Sequence, residues 1–213
     1  MIFIATGRAP VPVTLQSSVG GPFRLTDHNG SPITDQDLKG QPFLVFFGFT
    51  HCPDVCPTTL FEVSEILRAL GKDGERVRAL FVTVDPERDT PAKLKDYLSS
   101  FDPRVVGVTG DDASIKAMER VYRVYAKKVP LDSGGYNMDH TAIVYLMDKD
   151  GRFVAPFNMK RRPADAAADL RRYLLRPLPA SCLNRYDAGA DVGLFGRNQP
   201  DTPPRQPPTR QQR

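Results

Sequence analysis

Apolar positions in the first half of the chain form continuous runs and helical stripes, and they predict a βαβ unit. The run Phe43-Leu-Val-Phe-Phe-Gly-Phe49 is apolar throughout, as expected for a strand covered on both faces. The next segment has helical spacing and predicts a helix that buries Leu60, Val63, Ile66, Leu67 and Leu70. Residues 79–84 predict a second strand, and Thr90 followed by Pro91 predicts the start of another helix.

The second half continues this alternation. Residues 105–108 predict a short strand, and a helix from about Asp111 to Tyr125 follows, whose inward residues are Ile115, Met118, Val121, Tyr122 and Tyr125. The polar, glycine-containing segment 127–139 predicts a loop. Residues 141–147, a turn at 148–151 and residues 152–155 predict a hairpin, and Pro163 opens a last helix.

The two ends of the chain differ from this pattern. Residues 1–19 show no helical or strand period, and seven of the 20 prolines fall at or after residue 177. We therefore expect a flexible leader at 1–19, one folded domain at 20–176 and a disordered Pro/Arg-rich tail at 177–213. Within the domain, Asn29-Gly30 predicts an N-terminal hairpin before the first buried strand.

The order of these elements predicts an α/β sheet with helices on both faces. Two cysteines lie at the first strand-to-helix junction, which indicates a thioredoxin-like fold. We expect an inserted βα element at about 103–126 and an N-terminal hairpin. The functional edge should lie at the carboxyl ends of the parallel strands.

Composition excludes several classes of protein. A net charge of +4 in separate clusters such as 127–128 and 160–162 is not a nucleic-acid-binding stripe, so no nucleic-acid partner is expected. No segment approaches the 18 apolar residues of a membrane-spanning helix, and residues 1–5 are too short for a signal-peptide core. As it stands the sequence predicts a soluble chain, with the alternative that residues 1–5 end a longer anchor.

Cys52 and Cys56 are the strongest chemical feature of the chain. They are four residues apart, and Pro57 fits the first turn of the helix that follows, which puts Cys56 near the N-cap. Free amide hydrogens and the helix dipole should favour a thiolate there. The pair could bind a soft metal ion or form a disulfide, whereas Cys182 lies in a different kind of sequence.

A metal site needs a third ligand, and the chain has three histidines. His28 falls in the predicted turn, where a solvated side chain is expected. His51 adjoins Cys52, but its side chain need not face the same way. His140 is the better candidate because it opens the strand 141–147, beside the end of the first strand. Two thiolates and one imidazole suit Cu(I) and can accommodate Cu(II).

Other interpretations of these residues stay open. With an oxygen from Asp54 or Asp139, the same residues could hold zinc. The two cysteines could also be a simple redox pair, with His140 a strand-end residue. Peroxidase chemistry has less support, since neither Arg88 nor Arg104 has an evident relation to a reactive thiolate.

Two features beside the predicted site have interpretations that involve no metal. Met138, two positions before His140, is interpreted as a core or loop methionine rather than a ligand. The acidic loop 85–89 is equally consistent with a solvated turn and helix cap and with a docking surface for an acceptor protein.

Four segments, in order and at compatible spacing from about residue 20 to 175, closely resemble the Sco (SenC) family of copper-delivery proteins. They are Gly20-Gly-Pro-Phe-Arg-Leu25, Phe47-Gly-Phe-Thr-His-Cys-Pro-Asp-Val-Cys-Pro57, Val84-Asp-Pro-Glu-Arg-Asp-Thr-Pro91 and Asp139-His-Thr. The resemblance implies a thioredoxin-like fold with Cys52, Cys56 and His140 as the copper ligands. It also implies help in loading the binuclear copper centre of cytochrome c oxidase subunit II, with possible thiol-disulfide roles on that subunit.

The resemblance also sets expectations about location and function class. Family members are usually tethered by one N-terminal helix outside the cytoplasm, so a periplasmic, membrane-associated protein is expected, although this sequence shows no anchor. The tail and Cys182 are not explained by the motifs. We expect a monomeric metallochaperone rather than an enzyme with turnover, and the rival interpretation is a thiol-disulfide oxidoreductase acting through Cys52 and Cys56.

Overall fold

The computed structural model describes residues 19–175, which form a mixed sheet with four α-helices and a separate two-stranded hairpin. The predicted tail, Cys182 and all but the last residue of the predicted leader lie outside the described residues. Among the described helices, none is both long and apolar enough to span a bilayer.

The elements follow the predicted alternation closely. The strands are β1 (Arg24–Asp27), β2 (Pro32–Thr34), β3 (Phe43–Gly48), β4 (Arg78–Thr83), β5 (Val105–Thr109), β6 (Ala126–Pro130), β7 (Tyr136–His140), β8 (Val144–Met147) and β9 (Phe153–Pro156). The helices are α1 (Val55–Leu70), α2 (Pro91–Leu98), α3 (Asp112–Val121) and α4 (Pro163–Leu175), with short 3-10 helices at Asp35–Leu38 and Gly71–Arg76.

Strand β3 lies inside a seven-stranded sheet of order β2-β1-β5-β4-β3-β8-β9. It pairs parallel with β4 and antiparallel with β8, so Phe46 stands beside both Phe81 and Val144. The order β9-β8-β3-β4 is the thioredoxin-like core, and β5 with α3 forms the predicted insertion. The β1–β2 hairpin then extends the sheet beyond β5, as an antiparallel addition. The predicted fold class is confirmed.

Aromatic residues show how the helices cover the two faces of the sheet. Side chains alternate along a strand, so Phe46 and Phe47 point to opposite faces. Phe46 packs against Phe81, which in turn packs against Tyr97 of α2. Phe47 packs against Tyr122, the residue that follows α3. Helices therefore lie on both faces of the sheet, and the predicted stripe of α1 is buried throughout.

The α3 helix is shorter than the sequence pattern indicates. It ends at Val121, because Arg123 adopts the left-handed conformation with φ of 56°, which turns the chain away from the helix axis. Tyr122 is still buried, but Tyr125 is 54% exposed. The prediction that Tyr125 faces the core is wrong for this reason.

The predicted loop 127–139 is instead the β6–β7 hairpin, a sheet of its own in which Ala126 pairs with His140. Its first strand is polar and mostly exposed, so the apolar periodicity that marks the other strands is missing. Gly134 and Gly135 both have positive φ and allow the tight turn. As a result His140 ends β7, and the following strand begins only at Val144.

His28 has a structural role that the turn prediction missed. Its Nδ1 accepts a hydrogen bond from the amide of Gly107 at 2.8 Å, and its own amide donates to the Gly107 carbonyl at 2.8 Å. The expectation of a solvated side chain is therefore wrong. The predicted turn itself is confirmed, because Asp27 accepts the amides of Asn29 and Ser31.

We expect Glu119→Gln to raise thermal stability at alkaline pH. Burial raises the pKa of Glu119 on α3 from 4.5 to about 7, against the opposing effect of Lys116. The folded state thus holds the proton more tightly, and stability is lost as the pH rises through that range. Melting curves should show the variant a few degrees above the wild type at about pH 8.5 and level with it at about pH 4. The exposed Glu75→Gln control should show no such gain, and an equal gain at both pH values would contradict the prediction.

Candidate metal centre

Cys52 and Cys56 lie where the sheet passes into its first helix. Strand β3 ends at Gly48 and α1 begins at Val55, so Cys52 is in the connecting loop and Cys56 is the second helical residue. The amide of Cys56 donates to Cys52 Sγ at 3.4 Å. Cys52 is partly exposed, whereas Cys56 is completely buried. The helix N-terminus is therefore directed at the sulfur of Cys52.

The thiol of Cys56 behaves differently from the sequence-based expectation. Its pKa is raised far above the ordinary value, chiefly because burial disfavours the charged form, and the Cys52 thiol and Asp89 add to this effect. A backbone hydrogen bond at Phe49 opposes the shift but is outweighed. The prediction that the helix terminus favours a Cys56 thiolate is therefore wrong for the metal-free protein, and a metal must displace the thiol proton.

His140 meets Cys56 across the end of the sheet. Its Nε2 lies 3.8 Å from Cys56 Sγ, and its Nδ1 lies 3.1 Å from the carbonyl of Thr141. A carbonyl can only accept, so Nδ1 carries the proton and Nε2 presents its lone pair to the sulfur. The ring also stands edge-on to Phe49, with 5.7 Å between centroids. This is the arrangement of a histidine whose second nitrogen is held while the first binds a metal.

The remaining candidate ligands are not gathered in the same way. Among residues 19–175, no group of three His, Cys, Asp or Glu side chains stands close enough to hold a metal ion as it is. Asp139 alternates with His140 along β7 and is exposed, and Asp54 is exposed before α1. His51 is exposed and contacts Thr50 Oγ1 at 3.2 Å. The structure thus places Cys56 and His140 together, with Cys52 beside the Cys56 amide.

Gly48 is a site residue that the sequence analysis missed. A β-carbon at this position would lie 2.5 Å from the Phe81 ring and 2.8 Å from Cys56 Sγ, closer than packing allows. Only glycine leaves room for the buried sulfur at the end of β3. A glycine inside an otherwise apolar strand is the signal that could have revealed this close approach.

The loop 85–89 forms the predicted turn and helix cap, but its two aspartates are not solvated as predicted. Asp85 and Asp89 have no exposed surface, so they are not solvated and cannot face an acceptor protein. Asp89 accepts hydrogen bonds from Thr50 and Thr83, and Asp85 is paired with Arg88. Glu87 is exposed and pairs with Lys128. The predicted N-cap role of Thr90 is confirmed, since its side chain accepts the Lys93 amide.

Two further expectations can be compared with the structure. Met138 is buried in the core, as its interpretation as a core or loop methionine predicted. Arg88 and Arg104 are each held by a carboxylate, from Asp85 and Asp102 respectively.

A groove of about 740 Å³ next to the β6–β7 hairpin includes Met138 in its lining but none of Cys52, Cys56 and His140. The candidate metal centre is therefore distinct from this groove.

Solved structures and curated proteins similar to this chain include Sco proteins from bacteria, yeast and mouse. The structure of Bradyrhizobium japonicum ScoI with copper bound is 66% identical, with a TM-score of 0.71, and the match covers 73% of this chain and 99% of that one. Yeast Sco1 with copper bound is 34% identical, with a TM-score of 0.69 and coverage of 83% and 98%. The mitochondrial SCO1 homolog of Mus musculus is 41% identical over 159 residues, which are 73% of this chain but 56% of the mouse protein.

A match to a family model confirms the resemblance that the motifs indicate. The family model described as SCO1/SenC matches residues 12–175, a range that includes Cys52, Cys56 and His140. This range is well over half of the 213 residues, and the chain belongs to the SCO1/SenC family.

Proposed function

We propose that this protein is a copper metallochaperone that binds one copper ion through Cys52, Cys56 and His140. The observation that carries the proposal is the approach of His140 Nε2 to Cys56 Sγ at 3.8 Å, with Nδ1 held by the Thr141 carbonyl. Two thiolates and an imidazole form a soft set of low coordination number that suits Cu(I). The copper-bound structures of similar proteins support the choice of metal.

Delivery of copper requires a site that can release the ion. Cys52 lies in a loop and is partly exposed, so an incoming acceptor thiolate can replace it first while the buried Cys56 still holds the metal. Ligands can then be exchanged one at a time without free copper entering water. From the family resemblance we propose the binuclear copper centre of cytochrome c oxidase subunit II as the acceptor. We further propose that the protein is a monomer associated with the periplasmic side of the inner membrane.

A thiol-disulfide oxidoreductase is the second candidate function. The observation that favours it is the hydrogen bond from the Cys56 amide to the sulfur of the partly exposed Cys52, because it holds the two cysteines side by side with one sulfur within reach of a partner's disulfide. In that role Cys52 would attack a partner's disulfide and Cys56 would resolve the mixed disulfide. His140 would then have no necessary part, and this difference separates the two functions.

An anaerobic titration of the reduced protein with Cu(I), followed by metal analysis, tests the proposal. The wild type should bind one equivalent, and His140→Ala should lose tight binding because one of three ligands is gone. His51→Ala is the matched control, since it removes an exposed imidazole next to Cys52 and should bind like the wild type. If His140→Ala keeps full affinity, or if the wild type reduces disulfides but binds no copper, the oxidoreductase function is favoured instead.

A further inference from the structure

We propose that the loop at residues 85–89 is the positioning element of the metal centre. One end of the loop fixes the segment that leads to Cys52, and the other end fixes the hairpin that carries His140. The inference rests on the proposed function, because it explains how ligands from two separate parts of the chain are kept at one point. None of the loop's side chains is itself proposed as a ligand.

Asp89 holds the segment that leads to Cys52. Its Oδ2 accepts the amide of Thr50 at 3.0 Å, and its Oδ1 accepts the Thr50 hydroxyl at 2.6 Å. Its Oδ2 also accepts the hydroxyl of Thr83, the last residue of β4, at 2.7 Å. Thr50 lies two positions before Cys52, so a carboxylate with no exposed surface connects the cysteine loop to the sheet.

Asp85 and Arg88 hold the β6–β7 hairpin through Tyr136. The Tyr136 hydroxyl donates to Asp85 Oδ1 at 2.8 Å, and Arg88 Nη1 donates to the Tyr136 carbonyl at 3.0 Å. The Arg88 guanidinium also lies 3.9 Å from the centre of the Tyr136 ring. Lys128 of β6 stands 4.4 Å from the same ring and pairs with Glu87 of the loop. The hairpin is thus joined to the loop by both of its strands.

These contacts matter because the hairpin pairs with no strand of the main sheet. Its two strands pair only with each other, and β6 is exposed from Lys127 to Pro130. Tyr136, Met138 and His140 lie on the same side of β7 because side chains alternate along a strand. The contacts of Tyr136 therefore anchor the face of the strand from which His140 reaches Cys56. A small displacement of the hairpin would change the distance between His140 Nε2 and Cys56 Sγ directly.

Tyr136→Phe tests the hairpin half of the proposal. The variant keeps the ring and loses only the hydroxyl that binds Asp85. The Cu(I) affinity of the reduced protein, measured by competition with a chelator, should fall about tenfold, the lower range for groups that orient metal ligands. The exposed Tyr125→Phe is the matched control and should leave the affinity unchanged.

A double-mutant cycle separates positioning from a general loss of stability. In a His140→Ala background, Tyr136→Phe should weaken the residual copper binding no further, because its effect acts through the imidazole. Thr50→Val removes the hydroxyl bond to Asp89 on the Cys52 side and keeps the amide bond, so its effect should persist in that background, and Thr50→Ser should restore the wild-type affinity. An equal loss from Tyr136→Phe in both backgrounds would overturn the positioning role.

A readout that needs no metal keeps this inference separate from the proposed function. Amide hydrogen exchange at residues 126–140 should become faster in Tyr136→Phe than in the wild type or in Tyr125→Phe, while the core strand Phe43–Gly48 stays unchanged. Unchanged exchange in the hairpin would overturn the inference even if copper binds. If exchange in the hairpin becomes faster in Tyr136→Phe but the wild type binds no copper, the positioning role of the loop is supported. The proposed metallochaperone function is then refuted instead.

Discussion

Cys56→Ser is expected to abolish tight Cu(I) binding. Serine has nearly the same shape, but its neutral hydroxyl is a hard ligand that cannot replace a soft thiolate. Cys56 has no exposed surface and faces His140, so solvent cannot readily supply a substitute there. Changing a group that only orients metal ligands lowers metal affinity by roughly 10- to 100-fold. The loss of affinity in Cys56→Ser should be larger, because the substitution removes a ligand itself. Chelator competition on the anaerobically reduced variant measures it.

The control for this variant is Cys182→Ser, which removes the third thiol of the chain and leaves the predicted ligands intact. It should bind one equivalent of Cu(I) like the wild type. Thermal denaturation of Cys56→Ser without metal should show a folded protein, because the substitution leaves no large cavity. Stoichiometric Cu(I) retained by a folded Cys56→Ser protein would remove Cys56 from the site.

Much of the fold could be predicted from the sequence because periodicity reports burial. The apolar run that became β3 and the helical stripe of α1 together locate the strand-to-helix junction, and the positions of both cysteines follow from it. The turn at Asn29-Gly30 and the helix start at Pro91 could be predicted because their geometry is set by residues that are adjacent in sequence.

The features that sequence reasoning missed depend on distant parts of the chain. Asp89 can be buried because it accepts a hydrogen bond from Thr50, which is 39 positions away. Asp85 likewise accepts a hydrogen bond from Tyr136, which is 51 positions away. An acidic, proline-containing loop looks solvated when those partners are unknown. The β6–β7 hairpin has no apolar period because it packs outside the main sheet. The pKa of Cys56 likewise depends on a degree of burial that its position at a helix start does not reveal.

Oxidation of the protein is expected to produce a reversible disulfide between Cys52 and Cys56 and to abolish copper binding. The two thiols lose two protons and two electrons to oxygen as the sulfur–sulfur bond forms. The side chain of Cys52 contacts both the amide and the thiol of Cys56, so the two sulfurs are already neighbours and can be joined by an adjustment of the loop. Neither sulfur of a disulfide is a thiolate, and two of the three proposed ligands are lost at once.

Peptide mapping of the air-oxidised protein, with copper titration before and after reduction, checks this expectation. The Cys52–Cys56 linkage should dominate, Cys182 should be free or paired only between molecules, and a reductant should restore one equivalent of Cu(I). The Cys182→Ser variant should oxidise in the same way, because it keeps both sulfurs of the pair. A dominant linkage from Cys52 or Cys56 to Cys182 would instead mean that the C-terminal segment reaches the site, and copper binding would then be controlled by that segment rather than by the redox state of the pair alone.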